Sequence, residues 1–247
     1  NNLSQLKANR GAVALASDEA QNIFNGAYVL APQTPHEWSE NIDDATKLIN
    51  NIIKNNNIDS NRIYSYGCSA GGYMALDMVV HNPNLFAAVV STCPAIDQQN
   101  IKTYGEGRII TDEEIKSINI PTWVIQAKDD TTVKYEESAL RVYTLLKDKG
   151  AILTTYETGG HSSWIHTAKN EPVNNGEHLW QWTAKQSLND EIKTPVENTI
   201  KNEPVKKTSA VKTGDTNHVY LYVVTGSISM AVMAEYIHKK SKKSITK

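Results

Sequence analysis

The sequence is short of several things, and each shortage removes a class of protein. Two cysteines, Cys68 and Cys93, are too few for a disulfide framework, and each stands among apolar residues that suit a reduced, buried thiol. Neither sign of charge dominates: 25 basic against 27 acidic residues leave a formal charge of −2, which gives no overall field to draw nucleic acid or anionic lipid. The chain opens on Asn1 rather than Met, with no basic stretch followed by an apolar run, so a signal peptide is absent or removed and a truncated start is expected. The seven histidines show no metal-ligand spacing, and no cofactor is implied.

What is present suits a packed core. In 247 residues, 40% are apolar, enough for one large α/β domain or two small ones. Ala27–Pro32, Arg62–Tyr66, Ala87–Ser91, Thr122–Gln126 and Ala151–Thr155 are short runs rich in β-branched or aromatic residues and read as five strands. Helical patterns lie between them. Ile42, Ala45, Leu48, Ile49, Ile52 and Ile53 share one face after the N-cap Ser39, and a second helix from Tyr135 to Lys149 stops at Gly150. Alternating strand and helix predict a mostly parallel sheet with functional residues in loops at the strands' carboxyl ends.

Gly67-Cys68-Ser69-Ala70-Gly71 falls where such a loop is expected. A serine hydroxyl attacks poorly unless a base takes its proton and fixed donors hold the oxyanion that forms. A Gly-x-Ser-x-Gly turn from strand Ile63–Tyr66 into a helix starting near Ala70 lifts Ser69 above the sheet and offers the Ala70 N–H as an oxyanion donor at the helix's positive end. In this arrangement the acid and then the histidine follow the serine in the chain. Asp130, Asp129 and Asp97 all lie past strand ends and compete for the acid, with Asp130 best placed. His161, in the loop Gly159–Trp164, is the base, and His166 its competitor. Cys68 is read as a packing residue. Gln33, Trp38, Trp164 and Tyr73 are candidates to line a substrate cleft, and Gly105–Ser117 to form part of a cap.

Composition changes near Ser187. Residues 187–208 are polar and proline-bearing and read as a disordered linker after a catalytic domain spanning 1–186. Residues 209–247 contain the 16-residue apolar run Val219–Ala234, expected to form a hydrophobic transmembrane helix over 219–236, and then the basic stretch His238–Lys243.

Several strings carry a resemblance: Asn2-Leu-Ser-Gln-Leu6, Val29-Leu-Ala-Pro-Gln33, Asp59–Ile63, Gly67–Tyr73, Ala127-Lys-Asp-Asp130-Thr-Thr-Val133 and Gly160–Trp164. Together they resemble the esterase and predicted-peptidase branch of the α/β-hydrolases, which includes polyhydroxybutyrate depolymerase and feruloyl esterase relatives. The resemblance covers residues 2 to about 185. It implies an α/β-hydrolase fold, a Ser69–His161–Asp130 triad, and an ester- or peptide-bearing extracellular substrate. Its acid lies three residues after a small residue and three before a valine, as Asp130 does and Asp129 does not. It also implies an early strand whose loop donates a second oxyanion N–H, and this chain is expected to lack it. The tail, Ala210-Val-Lys-Thr213-Gly214 with the apolar run and lysines behind it, resembles a sortase sorting signal of Gram-positive surface proteins. That implies cleavage between Thr213 and Gly214, linkage to cell wall, and sortase and the membrane as partners.

Overall fold

The computed structural model describes residues 11–33, 41–96, 110–189 and 219–227. Ser39, Trp38, Asp97, Thr213, Gly214, most of the expected linker and the chain beyond Ser227 lie outside them. In chain order the elements are α1 (Gly11–Leu15), α2 (Asp18–Ile23), β1 (Ala27–Leu30), α3 (Ile42–Asn55), β2 (Ile58–Ser69), α4 (Ala70–His81), β3 (Ala88–Thr92) and α5 (Asp112–Ser117). There follow β4 (Thr122–Ala127), α6 (Ala139–Leu146), β5 (Ile152–Tyr156), α7 (Trp164–Ala168), the hairpin β6 (Val173–Asn174) and β7 (Glu177–His178), α8 (Leu179–Ala184) and β8 (Val219–Ser227). The five strands expected from the sequence are all present, within a parallel sheet of order β1-β8-β2-β3-β4-β5.

The period of two along each strand explains why helices cover both faces. Ile63, Val89 and Val124 point to one side, where they pack with Ile42, Ile49, Met74, Met78, Val142 and Leu146 of α3, α4 and α6. Tyr64, Tyr66, Ala88, Val90, Trp123 and Ile125 point to the other, against Ala12, Leu15, Ala20, Leu179 and Trp180 of α1, α2 and α8. Polar anchors fix that second layer: Tyr66 Oη and Thr183 Oγ1 lie 2.5 Å apart, Tyr64 Oη donates to the Gln186 carbonyl and Arg62 to that of Ala184. Leu188, at the start of the expected linker, still packs on this layer and donates its N–H to the Asn61 carbonyl.

Three expectations need correction. Leu48 is 40% exposed and leaves the predicted face, while Ile42, Ala45 and Ile49 are buried and Ile52 and Ile53 pack half-buried on the same core. The second helix begins at Ala139, not Tyr135, although it does end in a 3₁₀ turn at Gly150, whose φ is 80°. Finally, Val219–Ser227 is not the start of a transmembrane helix: it is extended and lies between β1 and β2, parallel to both. The reason is compositional, since a parallel strand covered on both faces reads as a continuous apolar, β-branched run, just as a membrane span does. No helix among the described residues is long and apolar enough to cross a membrane.

Candidate active site

β2 passes directly into α4, and Ser69 sits at the junction with φ 57° and ψ −122°. A non-glycine residue in that region carries strain of about 1–3 kcal/mol, a cost that the packing around the turn must offset. Two contacts show how tightly the turn is held. The Ser69 carbonyl accepts the Ala95 N–H at 3.0 Å, and a Cβ added at Gly72 would come within 2.8 Å of the Thr92 carbonyl and 3.0 Å of Pro94 Cα. Glycine at 72 therefore lets α4 lie against the end of β3. Ala70 is the first residue of α4, so its N–H belongs to the group that has no acceptor within the helix.

The base arrives from the other end of the sheet. After β5, Gly159 and Gly160 take φ values of 143° and 56°, a turn open to glycine and strained for other residues, which swings His161 back towards β2. His161 Nε2 lies 2.9 Å from Ser69 Oγ, and Nδ1 lies 2.8 Å from Asp130 Oδ2. Asp130, from the turn after β4, is buried, and its other oxygen accepts the backbone N–H groups of Thr132 and Val133 at 2.9 Å each. Gln126 Nε2 adds a further donor to Oδ2 at 3.2 Å. Burial alone would raise this carboxyl; the His161 hydrogen bond and charge and the Val133 and Thr132 amides outweigh it and hold Asp130 below the usual carboxylate range.

Ser69, His161 and Asp130 thus form one connected chain, the arrangement that activates a serine for attack on an acyl carbon. Asp129, the competing acid, instead accepts the N–H groups of Gly160 at 2.7 Å and Gly159 at 3.2 Å, clamping the turn that carries His161. Ser163 Oγ strengthens the same link by accepting the Ala127 N–H at 2.9 Å. Sequence reasoning missed both roles, since an acceptor for backbone N–H groups leaves no pattern of side chains to read. His166 pairs with Glu171 and stacks on Tyr156 with ring centroids 4.0 Å apart, which removes it as the base.

The remaining candidates are more dispersed. Trp164 opens α7 three residues after His161 and lines a cavity of about 720 Å³ with Val29, Ala31, Trp180 and residues of α1. Gln33 is exposed beyond β1, and the Tyr73 hydroxyl donates to Asp77 Oδ2 at 3.2 Å. Of the expected cap, Asp112–Ser117 is a helix with a Thr111–Glu114 capping box, held to the body by buried Ile115 and by Arg141, whose Nε donates to Asp112 at 2.7 Å. Cys68 and Cys93 are both free and buried, as the composition implied. Burial, followed by Cys68 and Asp130, pushes the Cys93 thiol up, while the Ser69 N–H pointing at its sulfur opposes the shift. The register Ser69↔Ser227 brings the carboxyl end of β8 alongside the nucleophile.

Several known proteins are similar to parts of this chain. Residues 36–121 match the prolyl oligopeptidase family, a stretch that holds the Ser69 turn and stops short of Asp130 and His161. A crystal structure of a thermostable esterase is 27% identical with a TM-score of 0.51, covering 72% of this chain and 48% of that one. The chain therefore spans about half the length of that esterase. An acylaminoacyl peptidase from Pyrococcus horikoshii (20% identity, TM-score 0.42, 52% of this chain and 25% of that one) lies further off. So does a lipase-esterase related protein from Clostridium acetobutylicum (19%, TM-score 0.42, 56% and 74%). No curated protein matches the chain.

Proposed function

We propose that this chain, an α/β-hydrolase by its fold, is a serine hydrolase that cleaves carboxylic esters through an acyl-enzyme. The observation that carries the reading is the continuous path Asp130 Oδ2–His161–Ser69 Oγ, with steps of 2.8 and 2.9 Å. Ser69 Oγ attacks the acyl carbon as His161 Nε2 takes its proton. Asp130 holds the Nδ1–H tautomer and stabilises the imidazolium, and the Ala70 N–H meets the oxyanion. Collapse of that intermediate breaks the bond to the alcohol, which leaves with the proton from His161. Water then attacks the acyl-Ser69 ester with His161 again as base, and the acid departs. The similarity to an esterase supports the ester as the bond cleaved.

A peptidase is the second reading, favoured by the match of residues 36–121 to the prolyl oligopeptidase family. The same triad serves both bonds, so the test is a direct comparison of acetylated or feruloylated glycans with peptides, each against Ser69→Ala. Ester turnover lost in that variant supports the first reading, and peptide turnover without ester turnover supports the second. A surface module without catalysis would show neither.

The proposal includes a place at the cell surface, supported by the sequence pattern of the tail alone. In the wall-linked form Thr213 would carry the wall and residues 214–247 would be gone, so that form has a sheet without β8. An intact carboxyl terminus containing β8 belongs to the other form. Mass spectrometry of the protein released from walls by a muramidase separates them: a terminal peptide ending at Thr213 with wall attached supports sortase linkage, and a peptide running uncut across Thr213–Gly214 contradicts it.

A further inference from the structure

Cys93 takes no part in the chemistry above, yet it sits behind the triad. It ends the β3 turn with φ 38°, a strained value for a residue with a side chain, and its N–H is tied to the Ile125 carbonyl at 2.8 Å, so the backbone is held while the side chain points inward. One ligating atom each of Cys93, Asp130 and His161 lie within 4.8 Å of one another. These three atoms, a sulfur, a carboxylate oxygen and an imidazole nitrogen, come from the carboxyl ends of β3 and β4 and from the loop after β5.

We propose that Cys93, Asp130 and His161 form an inhibitory site for a thiophilic divalent cation of the zinc class. The donor set is the argument. Thiolate, imidazole and carboxylate are the ligands zinc takes, and tetrahedral zinc separates such donors by roughly 3.3–3.8 Å. The three atoms, all within 4.8 Å of one another, reach that spacing by side-chain adjustment, and water or Ser69 Oγ takes the fourth position. The inference rests on the hydrolase reading only for its word inhibitory; the site itself does not.

Inhibition follows from proton bookkeeping. On binding, the Cys93 thiol loses its proton to solvent and a metal–sulfur bond forms. If the ion takes His161 Nε2, it occupies the lone pair that would accept the Ser69 proton. If it takes Nδ1, the imidazole hydrogen moves to Nε2, which then faces Ser69 with an N–H instead of a lone pair. Asp130 is drawn to the cation in both cases. The base is disabled by either route.

The test uses the full chain with its thiols reduced. Cobalt(II), which takes zinc sites, gives a thiolate-to-metal charge-transfer band in the near ultraviolet when sulfur is bound. The band is expected in the wild type and in Cys68→Ser, and absent from Cys93→Ser and Cys93→Ala. Where the substrate is cleaved, zinc should inhibit it, a chelator should restore it, and Cys93→Ser should raise the inhibitory zinc concentration at least about tenfold, since even outer-shell partners of a metal cost about 10–100-fold in affinity. Zinc X-ray absorption on the wild type needs no variant and should show one sulfur among nitrogen and oxygen neighbours. A cobalt band that survives in Cys93→Ser, or a zinc shell without sulfur, overturns the proposal. Because band and shell do not depend on turnover, an inactive chain that shows both would sink the hydrolase reading and leave the metal site standing.

Discussion

Replacing Asp130 by Asn tests the triad without altering its shape. In the native turn one carboxylate oxygen accepts the Thr132 and Val133 N–H groups at 2.9 Å each, while the other meets His161 Nδ1 at 2.8 Å and Gln126 Nε2 at 3.2 Å. An Asn side chain has one acceptor end and one donor end. If its oxygen keeps the two buried backbone donors, its NH₂ faces His161 and forces Nδ1 to become the acceptor, which moves the imidazole hydrogen to Nε2. If the amide flips, two backbone donors lose their acceptor at about 1–3 kcal/mol each, so the first arrangement wins. Nε2 then offers Ser69 a hydrogen it has no use for. The wrong tautomer at a buried triad acid costs about 10⁴-fold in rate, or roughly 5.4 kcal/mol at 1.36 kcal/mol per decade. The assay is the second-order rate of Ser69 labelling by a fluorophosphonate, followed by intact mass, with circular dichroism confirming the fold. A loss below tenfold, or an equal loss in Asp129→Asn, would refute the assignment of the acid.

Other outcomes follow from the same geometry. Asp129→Ala frees the Gly159–Gly160 turn and should slow labelling by about 10–100-fold, the scale of a 1 Å misplacement, with no loss of global stability on thermal melting. Gly72→Ala puts a methyl group against the Thr92 carbonyl and Pro94, and should destabilise by about 1–3 kcal/mol, a fall in Tm of about 2–4 °C for each kcal/mol. Asp130 titrates lower in the folded chain than in the unfolded one, so its contribution to stability is complete above a pH of about 4 and is lost as pH falls through the folded value. Urea unfolding from pH 5 downwards should therefore show a steeper loss in the wild type than in Asp130→Asn; parallel curves would contradict the shift.

Much of this was legible in the chain because the features concerned are local. Buried parallel strands read as short apolar runs bounded by turns, which is why β2 to β5 were visible, and the Gly-x-Ser-x-Gly turn declares itself by sitting between a strand and a helix. Asp130 was preferred to Asp129 by its place after β4, and the spacing to Ala127 and Val133 that the resemblance implies sharpened the choice. The physical difference, two backbone donors aimed at one acid and the glycine turn at the other, exists only once β4 and β5 are paired. The same holds for Cys93, which is an ordinary apolar-neighbourhood cysteine in sequence and meets the triad through contacts across the carboxyl ends of β3, β4 and β5. Val219–Ser227 failed for a different reason: seven residues of Val, Tyr, Leu and Thr followed by Gly226 and Ser227 fit a central parallel strand as well as part of a membrane span, and periodicity does not separate the two.

The central claim is that Ser69 is an activated nucleophile, and the most direct measurement is to treat the full chain with a fluorophosphonate probe and map the adduct by peptide mass spectrometry. The account predicts one adduct, on the peptide containing Gly67–Gly71, absent from Ser69→Ala and strongly reduced in His161→Ala. No adduct on the folded chain, or one of equal yield in Ser69→Ala, would contradict it.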